Sequence, residues 1–178
     1  MEGLRAMAAR VADLTPAMQA AAEAVKKGID DRFRSQTDWE GAPWTPLAAS
    51  TLLARRGRKS RRSVLRNLRQ AAVGREIGSG TEGAWYARAA RGTRILQNTG
   101  VLRNSISVTA GKKSVTLGTN TPYAGPHQFG TTRLPRRSFL PVVASGSGYT
   151  FSSGAPAAAV LTRIRRYIAQ YVKTGRLG

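Results

Sequence analysis

A chain of 178 residues, 41% of them apolar and none of them cysteine, is long enough to bury one core and excludes disulfides, thiolate chemistry and cysteine-held zinc. Its formal net charge of +20 exceeds what solubility asks of a small domain and points to an anionic neighbour. Seven of the nine carboxylates lie in residues 1–40 and none follows Glu82, whereas residues 83–178 carry fourteen Lys or Arg and the only histidine, so more than half the chain lacks the groups most used for acid–base work and metal ligation.

Leu4, Met7, Ala8, Val11 and Leu14 recur at helical spacing, and Thr15-Pro16 then offers an N-cap followed by proline at the first helical position. A second helix follows, its inner stripe being Met18, Ala22, Val25, Ile29 and Phe33. Residues 35–47, SQTDWEGAPWTPL, break that helix with Gly41, Pro43 and Pro46 and leave two tryptophans on an ordered, packed loop. Ser50 or Thr51 caps a short helix through Leu52 and Leu53, after which the sequence becomes dense in like charge.

From Arg55 to Arg94 twelve basic residues face two acidic ones. A helix is expected at about 61–72 with Val64, Leu65 and Leu68 inward, then a mobile loop in GREIGSGTEG. The whole chain reads as a single domain with a basic excursion at about 54–93. Thr99 is the expected N-cap of a short helix in NTGVLRNSI that feeds a strand. Ile106, Val108, Val115 and Leu117 alternate around the turn AGKKS and predict a hairpin. Phe139 to Val143 reads as a further strand, 145–154 as a Gly/Ser loop, and Val160, Ile164, Ile168 and Val172 as the inner stripe of a terminal helix ringed by Arg163, Arg165, Arg166 and Lys173. The predicted class is α+β, with N-terminal helices and a C-terminal helix packed on a mainly antiparallel β-sheet.

Chemistry-bearing signals are sparse. His127 has no carboxylate within forty residues on either side and no second histidine with which to share a metal, so it reads as a structural histidine; its neighbours Pro126 and Gly130 suit a residue that fixes the following loop by a hydrogen bond. No P-loop, HExxH or zinc-finger spacing occurs, and no cofactor is expected. Trp44 on its Pro-rich loop either closes one end of the core or forms a partner-binding aromatic patch. Arg55, Arg56, Arg58, Lys59, Arg61 and Arg62 are candidate contacts, with three readings open: a solvated face, nucleic acid, or acidic protein. No apolar run approaches a membrane span, and Glu2, Arg5 and Arg10 stand where a signal peptide needs an apolar core, so no membrane partner is expected.

Four segments in order, GAPWTPL at 41–47, ILQNTGVLRNSI at 95–106, GTNTPYAGPHQFGT at 118–131 and LPRRSFLPV at 134–142, resemble the phage virion-morphogenesis, or tail-completion, family. The resemblance implies a non-enzymatic virion protein, assembled in the host cytoplasm, that completes the head-proximal end of the tail and joins it to the head as a homo-oligomeric ring. Its implied partners are further copies of itself, a tail terminator or tail tube protein, the head connector proteins, and the packaged DNA in the lumen. It marks Trp44, Gly100, Leu102, Tyr123, His127, Gly130, Pro135, Arg137, Phe139 and Leu140 as motif residues with structural roles. The sequence departs from the family pattern in the basic segment between Thr51 and Ile95 and in Ser138, where a second proline is usual. In this reading loops 54–93 and 145–154 become ordered on assembly. The rival reading is a free-standing, non-specific DNA-binding protein.

Overall fold

The computed structural model describes residues 2–55, 92–146 and 148–177. The expected helix at 61–72, the GREIGSGTEG loop and Arg56, Arg58, Lys59, Arg61 and Arg62 lie outside them. The chain divides into two compact units, Met1–Thr45 with Thr99–Gly178, and Pro46–Asn98.

In the first unit, α1 spans Glu2–Ala12 and α2 spans Thr15–Ser35. All five residues of the expected α2 stripe, Met18, Ala22, Val25, Ile29 and Phe33, are buried, and Ala17, Ala21 and Ala24 join them. Full burial of a side chain such as Ile29 or Phe33 contributes about 1.5–3 kcal/mol. Thr15 is not the cap of α2. That position falls to Leu14, which makes no side-chain cap bond; Thr15 lies in the first turn, where its N–H and hydroxyl both donate to the Asp13 carboxylate. Those two donors hold the Asp13 carboxyl below its usual range. The Leu14 N–H donates to the Lys112 carbonyl, which ties the joint between the two helices to the tip of a hairpin.

That hairpin pairs β1, Ser107–Ala110, with β2, Val115–Gly118, in the register Val108↔Leu117, and the Gly111 N–H closes the turn on the Ser114 carbonyl. Before it, a four-residue helix, α4, occupies Val101–Asn104. Its cap is Gly100 at φ 74°, not Thr99, because the chain enters the helix through the left-handed region that glycine adopts without strain. A six-residue helix, α5, covers Ala124–Phe129. β3, Val142–Ser145, then pairs with β4, Gly148–Phe151.

Two expectations change here. The strand begins at Val142 rather than Phe139, and half of the expected Gly/Ser loop is a strand, because Gly146 at φ 56° turns the chain and Tyr149, Thr150 and Phe151 supply β-favouring side chains. The α+β class holds, with the antiparallel strands in two separate two-stranded sheets among the described residues.

α6, Ala155–Thr174, closes the unit along α2, with α2 also covering β1. Gly28 makes the close approach possible, since a Cβ there would lie 2.6 Å from the Trp39 ring and 3.2 Å from Val160. Arg10 of α1 donates from Nη1 to the Val172 and Lys173 carbonyls and so satisfies the last turn of α6. In the second unit α3 covers Ala49–Arg55, with Leu52 buried. Among the described residues no helix is long and apolar enough to cross a membrane.

The start of α6 gives a sharp test of this packing. A Cβ on Gly154 would collide with the Trp39 carbonyl and the Glu40 Cα, both backbone and unable to yield. Gly154→Ala is expected to destabilise by about 2–3 kcal/mol. Gly28→Ala should cost less, because its gain in helix propensity of about 1 kcal/mol offsets part of the strain. Urea unfolding of the two variants checks the order.

Candidate functional site

The segment from Arg137 to Leu140 belongs to no strand, and a single side chain supplies the backbone bonds that a strand neighbour would. Gln128, on α5 and 2% exposed, accepts from the Phe139 and Leu140 N–H groups through Oε1 at 3.0 and 2.9 Å. Its Nε2 donates to the Leu140 and Val142 carbonyls at 3.1 and 2.8 Å. Both donors and both lone pairs of the amide are thus used, which is the condition for burying it without penalty. This also explains the late start of β3: the amide of Gln128 takes the N–H groups that a neighbouring strand would otherwise hold.

Two indoles hold the same segment from the other side. Trp39 Nε1 donates to the Phe139 carbonyl at 2.9 Å and Trp44 Nε1 to the Ser138 carbonyl at 3.1 Å, both buried. Phe33 of α2 packs edge-on to Trp44 at 5.5 Å and tilted to Phe139 at 5.6 Å. Trp44 therefore closes the core, the first of its two sequence readings. Its loop is held by Asp38, whose Oδ1 accepts from the Glu40 and Ala42 N–H groups, and by the Trp44 N–H on the Gln36 carbonyl. Arg137 is buried, with Nε on the Thr45 carbonyl at 2.8 Å. Ser138 also has work to do: its hydroxyl donates to the Gln128 carbonyl and accepts from Arg136 Nε.

His127 anchors the loop by its backbone, where the sequence pointed to a hydrogen bond from the residue: its carbonyl accepts the Arg137 N–H at 2.8 Å. The ring lies edge-on to Tyr123 at 6.2 Å, and Nδ1 is buried with no hydrogen-bond partner among the described residues. Burial, reinforced by the charge of Arg137, lowers the imidazole below its ordinary value of 6.5. Gly130 ends α5 at φ 79°, with the Arg136 backbone 3.1 Å from where a Cβ would sit. Pro135 lies exposed beyond the turn in which the Thr131 and Leu134 backbones bond to each other. Leu102 is buried, and Ser105, Thr119 and Thr121 form a hydroxyl chain of 2.7 and 2.9 Å that binds α4 to the end of β2. Leu140 is half-buried, its backbone gripped on both sides by Gln128.

Of the basic candidates, Arg55 is described. It is half-buried, donates from Nη1 to the Arg94 carbonyl at 2.9 Å, and has its value lowered by burial. The structure thus brings together Trp44, His127, Arg137, Phe139 and Leu140 around one segment. Tyr123, Gly130 and Pro135 flank it, whereas Gly100 and Leu102 belong to the α4 entry. Gln128 and Trp39, which hold the segment most directly, were not singled out by sequence reasoning; a glutamine inside an otherwise apolar and small-residue motif was the available signal. Among the described residues no three His, Cys, Asp or Glu side chains converge to hold a metal.

The profile of the phage virion morphogenesis family matches residues 1–84 and 79–149. Neither the curated proteins nor the solved structures give a match to the chain.

Removing the Gln128 amide strands two N–H groups and two carbonyls at once. Gln128→Leu should therefore cost about 3 kcal/mol or more, against about 1 kcal/mol for Trp44→Phe, which loses one bond, as read by urea denaturation. For His127, the folded chain binds fewer protons than the unfolded chain as pH falls below 6.5. Stability is accordingly complete above that pH and declines below it. His127→Gln should flatten the decline between pH 6.5 and 5, before the carboxylates titrate.

Proposed function

Because the chain belongs to the phage virion morphogenesis family, we propose that it is one subunit of a homo-oligomeric ring at the head-proximal end of a phage tail, completing the tail and joining it to the head. The family itself gives the chain a structural or assembly role in a phage virion and makes it a virion-associated protein; it is not an enzyme family. The carrying observation is that its profile covers residues 1–149 in two overlapping stretches.

The surface of the first unit supports the ring. A closed head-to-tail assembly needs two different patches on each subunit. Leu4, Met7 and Val11 form one apolar stripe on α1, a helix with no buried residue, and Leu4 is 73% exposed. Phe129 and Tyr149 stack at 5.2 Å to form a second, and Tyr149 is 69% exposed. Exposed aromatic and apolar groups of this kind are the usual anchors of protein interfaces. In the ring, the first patch of one copy meets the second patch of the next, and the virion neighbours are the tail tube or terminator on one side and the head connector on the other.

A second reading, a free-standing protein that binds DNA without sequence preference, is favoured by the net charge of +20. Mass measurement separates the two. The full chain should form one closed oligomer of fixed mass, alone at high concentration or on tails lacking it. Met7→Asp and Tyr149→Asp should each prevent closure yet pair with one another into a dimer that cannot extend. A chain that stays monomeric in every condition, and binds DNA one copy at a time, would establish the second reading.

A further inference from the structure

The cations of the first unit divide into those the fold uses and those it does not. Arg10, Lys26, Arg32 and Arg137 donate to backbone carbonyls, and Arg34, Arg103 and Arg136 face Asp31, Asp30 and Glu40 at 3.0, 2.8 and 4.0 Å. On α6, by contrast, Arg163, Arg165, Arg166 and Lys173 are exposed and have no carboxylate within ion-pair distance among the described residues, and all but Arg165 share one side of the helix.

Their positions are not scattered. Residues 163, 166, 170 and 173 follow the three-and-four spacing of one helical face, which flanks the face that carries Ala157 and Val160 into the core. Gln170 fills the remaining place in the row. The row is about 15 Å long, an axial length over which one strand of a duplex presents about four phosphates. Lys27 of α2 adds a further exposed cation across the cleft that it lines with Arg163 and Arg32; Asp31, the carboxylate in that cleft, is engaged by Arg34.

We propose that the outer face of α6, through Arg163, Arg166 and Lys173, is a contact surface for the phosphate backbone of duplex nucleic acid. An acidic protein is the other chemistry such a row could meet, but a protein interface wants apolar or aromatic anchors at its centre. α6 exposes no large apolar side chain, whereas α1, α5 and β4 do. Guanidinium groups suit phosphate oxygens by their forked geometry, and contacts to the phosphate backbone carry no base information, so this binding is independent of sequence. This inference stands on surface charge and helix geometry alone and holds whether or not the chain closes into a ring.

The test is the salt dependence of full-chain binding to a short mixed-sequence duplex, read by fluorescence anisotropy. Arg163→Gln, Arg166→Gln and Lys173→Gln together should lower the slope of log K against log salt by about 2.7, three contacts at about 0.9 each. The charge-matched control, Lys112→Gln, Lys113→Gln and Arg133→Gln, removes three exposed cations elsewhere in the unit and should leave the slope nearly unchanged. Equal losses in the two triple variants would mean that only net charge matters, and would overturn the proposal. So would an α6 variant that binds DNA like the parent but fails to join virion proteins, which would assign the row to an acidic protein. Oligomer mass measured on the same samples reports ring closure separately.

Discussion

The core around α2 and the tryptophan loop closes on a backbone segment that lies in no strand. Between Arg137 and Leu140 the chain is largely buried outside any strand, and unpaired peptide groups there would each carry a desolvation cost of about 1–3 kcal/mol. The amide of Gln128 answers that cost with four hydrogen bonds, and the indoles of Trp39 and Trp44 take two of the carbonyls from the opposite side. Phe33 is placed by α2 to fill the space between Trp44 and Phe139, so the burial of the longest helix and the satisfaction of the segment are one event. Ser152 extends the arrangement, its N–H on the Pro141 carbonyl and its hydroxyl on Glu40, which carries the second hairpin into the same cluster.

The unusual charge balance is built into the fold at the level of hydrogen bonds. With seven carboxylates in its first forty residues and none in its last eighty, the unit cannot pair its cations one to one. It instead lets guanidinium groups do the work of caps and clasps. Arg10 closes the end of α6, Arg32 holds the turn after α2 through Thr37 and Asp38, and Arg137 reaches the Thr45 carbonyl. A guanidinium remains charged near neutral pH and carries five donors, so it can serve a carbonyl without a counter-ion nearby. Two α2 carboxylates form tight pairs, Asp30 with Arg103 and Asp31 with Arg34, while Asp13, Asp38 and Glu40 accept from turn and loop donors.

Much of this was legible in the residue pattern, and the parts that were not share a cause. The α2 stripe, the first hairpin and the terminal helix follow from spacing, because period 3.6 and period 2 are set by backbone geometry and survive into the folded unit. The α4 entry was visible in outline, but its cap was not, since a threonine hydroxyl and a glycine in the left-handed region are competing solutions one residue apart. The true start of β3 was hidden for a different reason: Phe139 and Leu140 read as strand residues, and only the arrival of Gln128 from a helix ten residues earlier takes their N–H groups away. Likewise, Gly148-Tyr149-Thr150-Phe151 was masked by its Gly/Ser surroundings, although alternating aromatics signalled a strand. The motif residues around His127 were found by resemblance, and their roles by contact; the histidine contributes mainly its carbonyl, which no side-chain argument would have named.

The first unit is discontinuous in the chain, and that has a consequence for how it is made. Its first 45 residues and its last 80 are separated by residues 46–98, and the bonds that join them span 100 residues from Trp39 to Phe139 and 162 from Arg10 to Val172. On the ribosome, α2 emerges with its apolar stripe complete well before α6, the helix it packs along, has been made. Local helices form in microseconds, but the contacts that bury them wait for chain closure over these distances. The first unit therefore closes only after α6 has been made, and until then the apolar stripe of α2 lacks its partner helix and is open to holding chaperones or to a second nascent copy.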